Sequence, residues 1–97
     1  MAEDITENYH KRNRESRAAF KKLKREIAER DKQYIERAIL RHGSRGLICD
    51  EAERVLGMKH QTASARFSEL VKEERIIRTD VIRLTRSGRP ARVHIIE

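Results

Sequence analysis

From Arg14 to His42 the chain runs for 29 residues without a glycine or a proline. The block lacks the two strongest helix breakers, and its content of Ala, Glu, Lys, Arg and Leu favours helix. Phe20, Leu23 and Ile27 fall on one stripe at spacings of three and four, and Ile35, Ala38, Ile39 and His42 on a second. Asp31 stands between the stripes and can cap a fresh helix. The pattern predicts two helices, roughly 15–29 and 32–42, with one long helix as the alternative. Residues 1–13 lack sustained periodicity and read as a frayed start, although Asp4 and Glu7 could form a capping pair before a helical turn.

The remainder is punctuated more closely. Gly43-Ser44-Arg45-Gly46 supplies the residues that end a helix and reverse the chain. Asp50-Glu51-Ala52-Glu53 places acids where the N-terminal end of a helix dipole favours them. That helix has Ala52, Val55 and Leu56 as its apolar positions and Gly57 as its stop. A third helix is expected from about His60 to Glu73. Two apolar runs follow, Ile76-Ile77 and Val81-Ile82-Arg83-Leu84, and then a turn around Thr85–Pro90 and a strand around Ala91–Ile95, together a hairpin.

The whole chain has 97 residues, enough for one domain and an appendage but not for a second core. With 37% hydrophobic and 4% aromatic residues, that core must be small and aliphatic. The expected division is a start and basic helix over 1–30 and a folded domain over 31–97. The net charge is +7, which favours a polyanionic partner or an anionic surface. Its distribution says more: Lys11, Arg12, Arg14, Arg17, Lys21, Lys22, Lys24 and Arg25 face only Glu15 between residues 10 and 25, and Arg83, Arg86, Arg89 and Arg92 follow one another without an acid. Two basic clusters thus flank a nearly neutral middle.

The stretch from Gly46 to Leu70, GLICDEAERVLGMKHQTASARFSEL, resembles the helix-turn-helix of small bacterial and phage winged-helix DNA-binding proteins. The resemblance extends from about Lys32 to the end of the chain. It covers a helix closing on Leu56-Gly57, a short turn, a helix with small residues towards the first, and a two-stranded wing closing on Arg86-Ser87-Gly88-Arg89. It implies an α+β, mainly α fold, a winged helix-turn-helix of three helices and a C-terminal hairpin wing behind a basic N-terminal helix. One position departs from the family pattern: where a glycine commonly follows the third helix, this chain has Glu74, so either Glu74 is left-handed or the helix ends differently.

A step of about 100° per residue from Ala63 puts Phe67, Leu70 and Val71 on one face of the third helix and Gln61, Ala65, Ser68 and Lys72 on the other, with Thr62, Ser64 and Glu69 flanking. An ordinary amphipathic helix explains the first set but not the second, because a solvated face normally carries long charged side chains. Short polar residues suit a groove. Gln61 can bond adenine edges, Ala65 can touch a thymine methyl, Ser64 and Ser68 can meet bases or phosphates, and Lys59 and Lys72 can hold the backbone. His60 and Thr62 complete the candidate set, which the resemblance assigns to the major groove. Arg83, Arg86, Ser87, Arg89 and Arg92 form the candidate wing contacts to phosphates or minor groove; the plainer reading is edge-strand charge that prevents aggregation. The basic helix could lie along phosphates, with Phe20, Leu23 and Ile27 packed on the core or on a second copy.

The expected activity is therefore sequence-specific binding of double-stranded DNA in transcription regulation, by a monomer or a homodimer. The alternatives are an accessory or architectural DNA protein for replication, recombination or packaging, and a protein-interaction module on the same scaffold. No catalytic residue, cofactor or metal is expected. The sequence has no phosphate-binding loop and no nucleophile elbow, and His10, His42, His60 and His94 have no ligand spacing with the single Cys49. Cys49 reads as a small half-buried residue, and one cysteine forms no internal disulfide. The apolar face of the basic helix is thin and lacks Trp, against a membrane-surface role. With no signal-like start or membrane span, the protein is expected in the cytoplasm.

Overall fold

Where two N-terminal helices were expected, the computed structural model has one. The structure describes the backbone of residues 2–97 and the side chains of residues 16–97. Helix α1 runs from Ala2 to His42 without interruption, so Asp31 is a mid-helix residue and the boundary expected near residue 30 falls inside α1. A capping side chain alone does not end a helix whose neighbours are all good helix formers, because the next backbone hydrogen bond remains available. Most of the start expected to be frayed belongs to this helix too. Asp4, Glu7 and the cations Lys11, Arg12 and Arg14 lie outside the described side chains.

A 3₁₀ turn, Gly43–Arg45, leads through the connection 46–48 into α2, Cys49–Leu56. Gly46 is buried with φ 62 and ψ −169, a conformation open in practice only to glycine. A Cβ there would stand 2.3 Å from the His94 carbonyl oxygen. The close approach lets Leu47 exchange hydrogen bonds with His94: Leu47 N–H donates to the His94 carbonyl at 3.0 Å, and His94 N–H to the Leu47 carbonyl at 2.8 Å. The connection before α2 is thereby stitched to the C-terminal strand. At the start of α2 the Glu51 carboxylate accepts the Ile48 N–H at 3.1 Å. Ile48 has no side-chain acceptor to return the bond, so only this half of a capping box forms.

Gly57 ends α2 in the left-handed conformation, and α3 spans His60–Lys72. The end of α3 carries the departure seen in the sequence. Glu74 has φ 59; its N–H donates to Val71 O at 3.0 Å and Arg75 N–H to Leu70 O at 2.9 Å, the bond pattern of a Schellman C-cap with Glu in the place usually taken by Gly. The next residue is pinned: Arg75 pairs with Glu36 and, at 3.0 Å, with Glu29, both on α1.

Strands β1, Ile77–Leu84, and β2, Pro90–Ile95, form one antiparallel hairpin. The two apolar runs read from the sequence meet in one strand, with Ile76 just before its start. A bulge between Arg78 and Ile82 separates them, and the Thr79 hydroxyl donates to Val93 O at 2.8 Å while accepting Val81 N–H at 3.2 Å. Ile35, Ala38 and Ile39 of α1, Leu47, Ala52 of α2, Ala63, Phe67 and Leu70 of α3, Ile76 and Val93 make a common core. It is aliphatic apart from Phe67, as the composition requires, and each large member contributes about 1.5–3 kcal/mol. Val55, expected inside, is 59% exposed. Ala52 and Leu56 set the inner face of this two-turn helix, and Val55 lies to its side.

Candidate nucleic-acid interface

Helix α3 buries Ala63, Phe67 and Leu70 and half-buries Val71, and it exposes Gln61, Ser64, Ala65, Ser68 and Lys72. This is the division read from helical periodicity. Lys59 and His60 at its start are exposed as well, and Thr62 is half-buried. Because the buried side anchors α3 in the core, the exposed set is presented on a rigid element. His60 is turned towards α2, its Nδ1 3.0 Å from Glu53 Oε2.

The hairpin arginines divide into two kinds. Arg83 pairs with Glu51, and its Nη2 donates to the Arg45 carbonyl at 2.9 Å. Arg86 donates from its backbone N–H to Asp50 Oδ2 at 3.1 Å and from Nε to Oδ1 at 3.0 Å. Those bonds to Arg86 hold the Asp50 carboxyl below its usual range against the opposing effect of burial. Two of the four expected wing cations are thus already held by the acids that open α2. Arg89 and Arg92 are exposed and make no ion pair among the described residues. Ser87 shares a hydroxyl hydrogen bond of 3.0 Å with Thr85 in the turn.

Sequence reasoning assigned no role to the seam between α1 and α3. Lys32, buried, lies 2.8 Å from Glu73, 3.5 Å from Glu69 and 3.9 Å from Glu29. The hydrogen bond that Lys32 donates to Glu73 raises the Lys32 pKa despite desolvation. Glu29 and Glu73 are correspondingly lowered, through Arg75 and Lys32 respectively. Apart from the Glu29–Lys32 pair, three residues apart on α1, the partners across the seam are distant in sequence, 41 residues for Lys32 and Glu73, so no local pattern signals them. Beyond this seam α1 carries Arg17, Lys21, Lys22, Lys24 and Arg25, all exposed. Its apolar stripe does not pack on the core: Phe20 and Leu23 are 57% and 51% exposed, and Lys24 Nζ lies 4.8 Å over the Phe20 ring.

Cys49 and His60, unrelated by sequence spacing, meet through Glu53. Each of the three offers a possible metal-ligand atom, all within 4.8 Å of one another. Glu53 Oε2 accepts the Cys49 thiol at 3.7 Å and lies against His60, so one carboxylate accounts for the convergence. Burial, then the neighbouring Glu53, pushes the thiol pKa up to about 12, which makes Cys49 a poor nucleophile. His94 is buried with neither ring nitrogen hydrogen-bonded. It stands edge-on to Phe67, centroids 4.8 Å apart, and burial, with Arg78 nearby, lowers its pKa to about 4. It is a neutral core residue.

Among the described residues no helix is long and apolar enough to cross a membrane. No protein-family model, curated protein or solved structure matches the chain.

Proposed function

We propose that this chain is a winged helix-turn-helix DNA-binding protein of the cytoplasm, a binding module and not an enzyme, with α3 entering the major groove and the hairpin serving as the wing. The observation that carries the reading is the outward face of α3. Gln61, Ser64, Ala65, Ser68 and Lys72 lie exposed on one side of a helix whose other side is anchored in the core. Side chains that short let a helix approach base edges, and Gln offers the paired donor and acceptor that adenine matches. Arg89 and Arg92 are the wing cations left for phosphates or the minor groove. Transcription regulation is the use that fits base reading; an accessory role in replication, recombination or packaging fits if base reading is weak.

Selection of bound fragments from a random duplex pool, followed by titration at several salt concentrations, tests the proposal. A recovered consensus and a log–log salt slope of roughly −4 to −5, the value for four to six phosphates, are expected. Gln61→Ala and Ser64→Ala should relax preference at particular base pairs by about 1–3 kcal/mol each. Absence of duplex binding at low ionic strength would sink it. The exposed stripe of Phe20, Leu23 and Ile27 favours a second reading, an interaction module or a homodimer; a flat salt response together with a particle of twice the monomer mass would select it.

A further inference from the structure

The core-facing side of α1 does not end where the helix leaves the core. At about 100° per residue, Ala28 and Ile39 share the face of buried Ile35, and further towards the N-terminus Arg17, Lys21 and Lys24 fall within about 40° of that same line. The face changes from apolar to basic along one continuous helix. Its basic part therefore looks towards the side on which α3 packs, not away from it.

The two helices enclose an open groove of ≈ 490 Å³ at that transition, bounded by Lys24, Arg25, Ile27, Ala28, Asp31, Thr62 and Arg66. Three cations and one acid line it. Arg66 gives Nη2 to Glu69 at 2.9 Å, and its buried Nε has no hydrogen-bond partner, so the one carboxylate does not satisfy the guanidinium. Thr62 directly follows Gln61 on the first turn of α3, which puts the groove beside the face assigned above to base reading.

We propose that this groove seats a backbone phosphate of the bound duplex and that the arm of α1 from Arg17 to Arg25 follows the same strand. The inference rests on α3 being the reading helix. A strand whose bases meet Gln61 carries its phosphates past Thr62 into a pocket lined by Lys24, Arg25 and Arg66, where a diester oxygen gains charge-assisted hydrogen bonds. The twelve residues from Arg17 to Ala28, eleven helical rises, span about 16 Å of helix axis, long enough to meet more than one phosphate of that strand. The duplex is then held between helix and arm.

Lys24→Gln/Arg25→Gln and a control, Arg30→Gln/Arg37→Gln, each remove two exposed cations; the control pair lies about 140–160° from the Ile35 line and outside the proposed arm. Binding of the whole chain to a mixed-sequence duplex is measured against salt, with melting curves to verify folding. The groove variant should lose roughly 1 from the magnitude of the log–log slope, the share of one phosphate, alike on every sequence, while the control keeps the wild-type slope. If the groove variant keeps its slope, or the control loses as much, the phosphate seat is wrong while the α3 reading stands. If the unaltered protein ignores duplex at low salt, the α3 reading itself has failed.

Discussion

Arg86 in the hairpin turn is fastened to Asp50 at the start of α2 by both its backbone N–H and its guanidinium. With Arg83 on Glu51, this ties the hairpin to the helix in front of α3, so the basic tip divides into cations that build the fold and cations that face solvent.

The division separates the arginines in a binding experiment. Arg89→Gln/Arg92→Gln should reduce the salt slope of duplex binding by roughly 2 and weaken all sequences alike. Arg86→Gln should leave the slope near that of the unaltered protein, since its charge is already compensated by Asp50. Equal slope losses from both variants would show that Arg86 leaves Asp50 to meet phosphate.

Gly46→Ala should destabilise the fold by about 2–4 kcal/mol, combining the cost of a glycine-only conformation with overlap against the His94 carbonyl. Urea denaturation measures it. A loss below about 0.5 kcal/mol would mean that the bridge between Leu47 and His94 is not a fixed part of the structure.

His94 makes stability fall on mild acidification. Its pKa is near 4 in the fold and about 6.5 unfolded, so between those values the unfolded chain binds the extra proton and stability drops as pH falls. The loss is complete near pH 4 and amounts to up to about 3 kcal/mol. The lowered carboxylates Glu29, Asp50 and Glu73 add their own loss only at more acid pH. Denaturation at pH 7 and pH 5 should show the drop in the unaltered protein and much less of it in His94→Leu. An identical drop in both would locate the proton elsewhere.

Glu74→Gly should stabilise by about 0.5–1 kcal/mol and raise Tm by a few degrees, because φ 59 strains an L side chain and not glycine. A lower Tm would mean that the Glu74 side chain contributes more than its backbone costs.

Much of this was legible in the order of the residues. The turn at Gly43–Gly46, the extents of α2 and α3, the stop at Gly57, the hairpin and the two faces of α3 follow from periodicity and from glycine, which act within a few residues. Glu74 stood out because it takes a place where the resemblance expects glycine, and the structure decides between the two outcomes left open there, with φ 59. The unbroken course of α1 was less legible, since Asp31 is as good a mid-helix residue as a cap when nothing else breaks the helix.

Sequence alone determined which residues of α3 turn inward and that the core must be aliphatic, whereas Val55 and the stripe of Phe20, Leu23 and Ile27, apolar in sequence, are exposed in the fold. Only the tertiary structure decided which charges remain free. Arg86 finds Asp50 across 36 residues and Arg83 finds Glu51 across 32, and Cys49, Glu53 and His60 converge only once α2 and α3 are folded together. Hydrophobic periodicity is a property of neighbours along the chain, whereas an ion pair depends on where the chain returns in space.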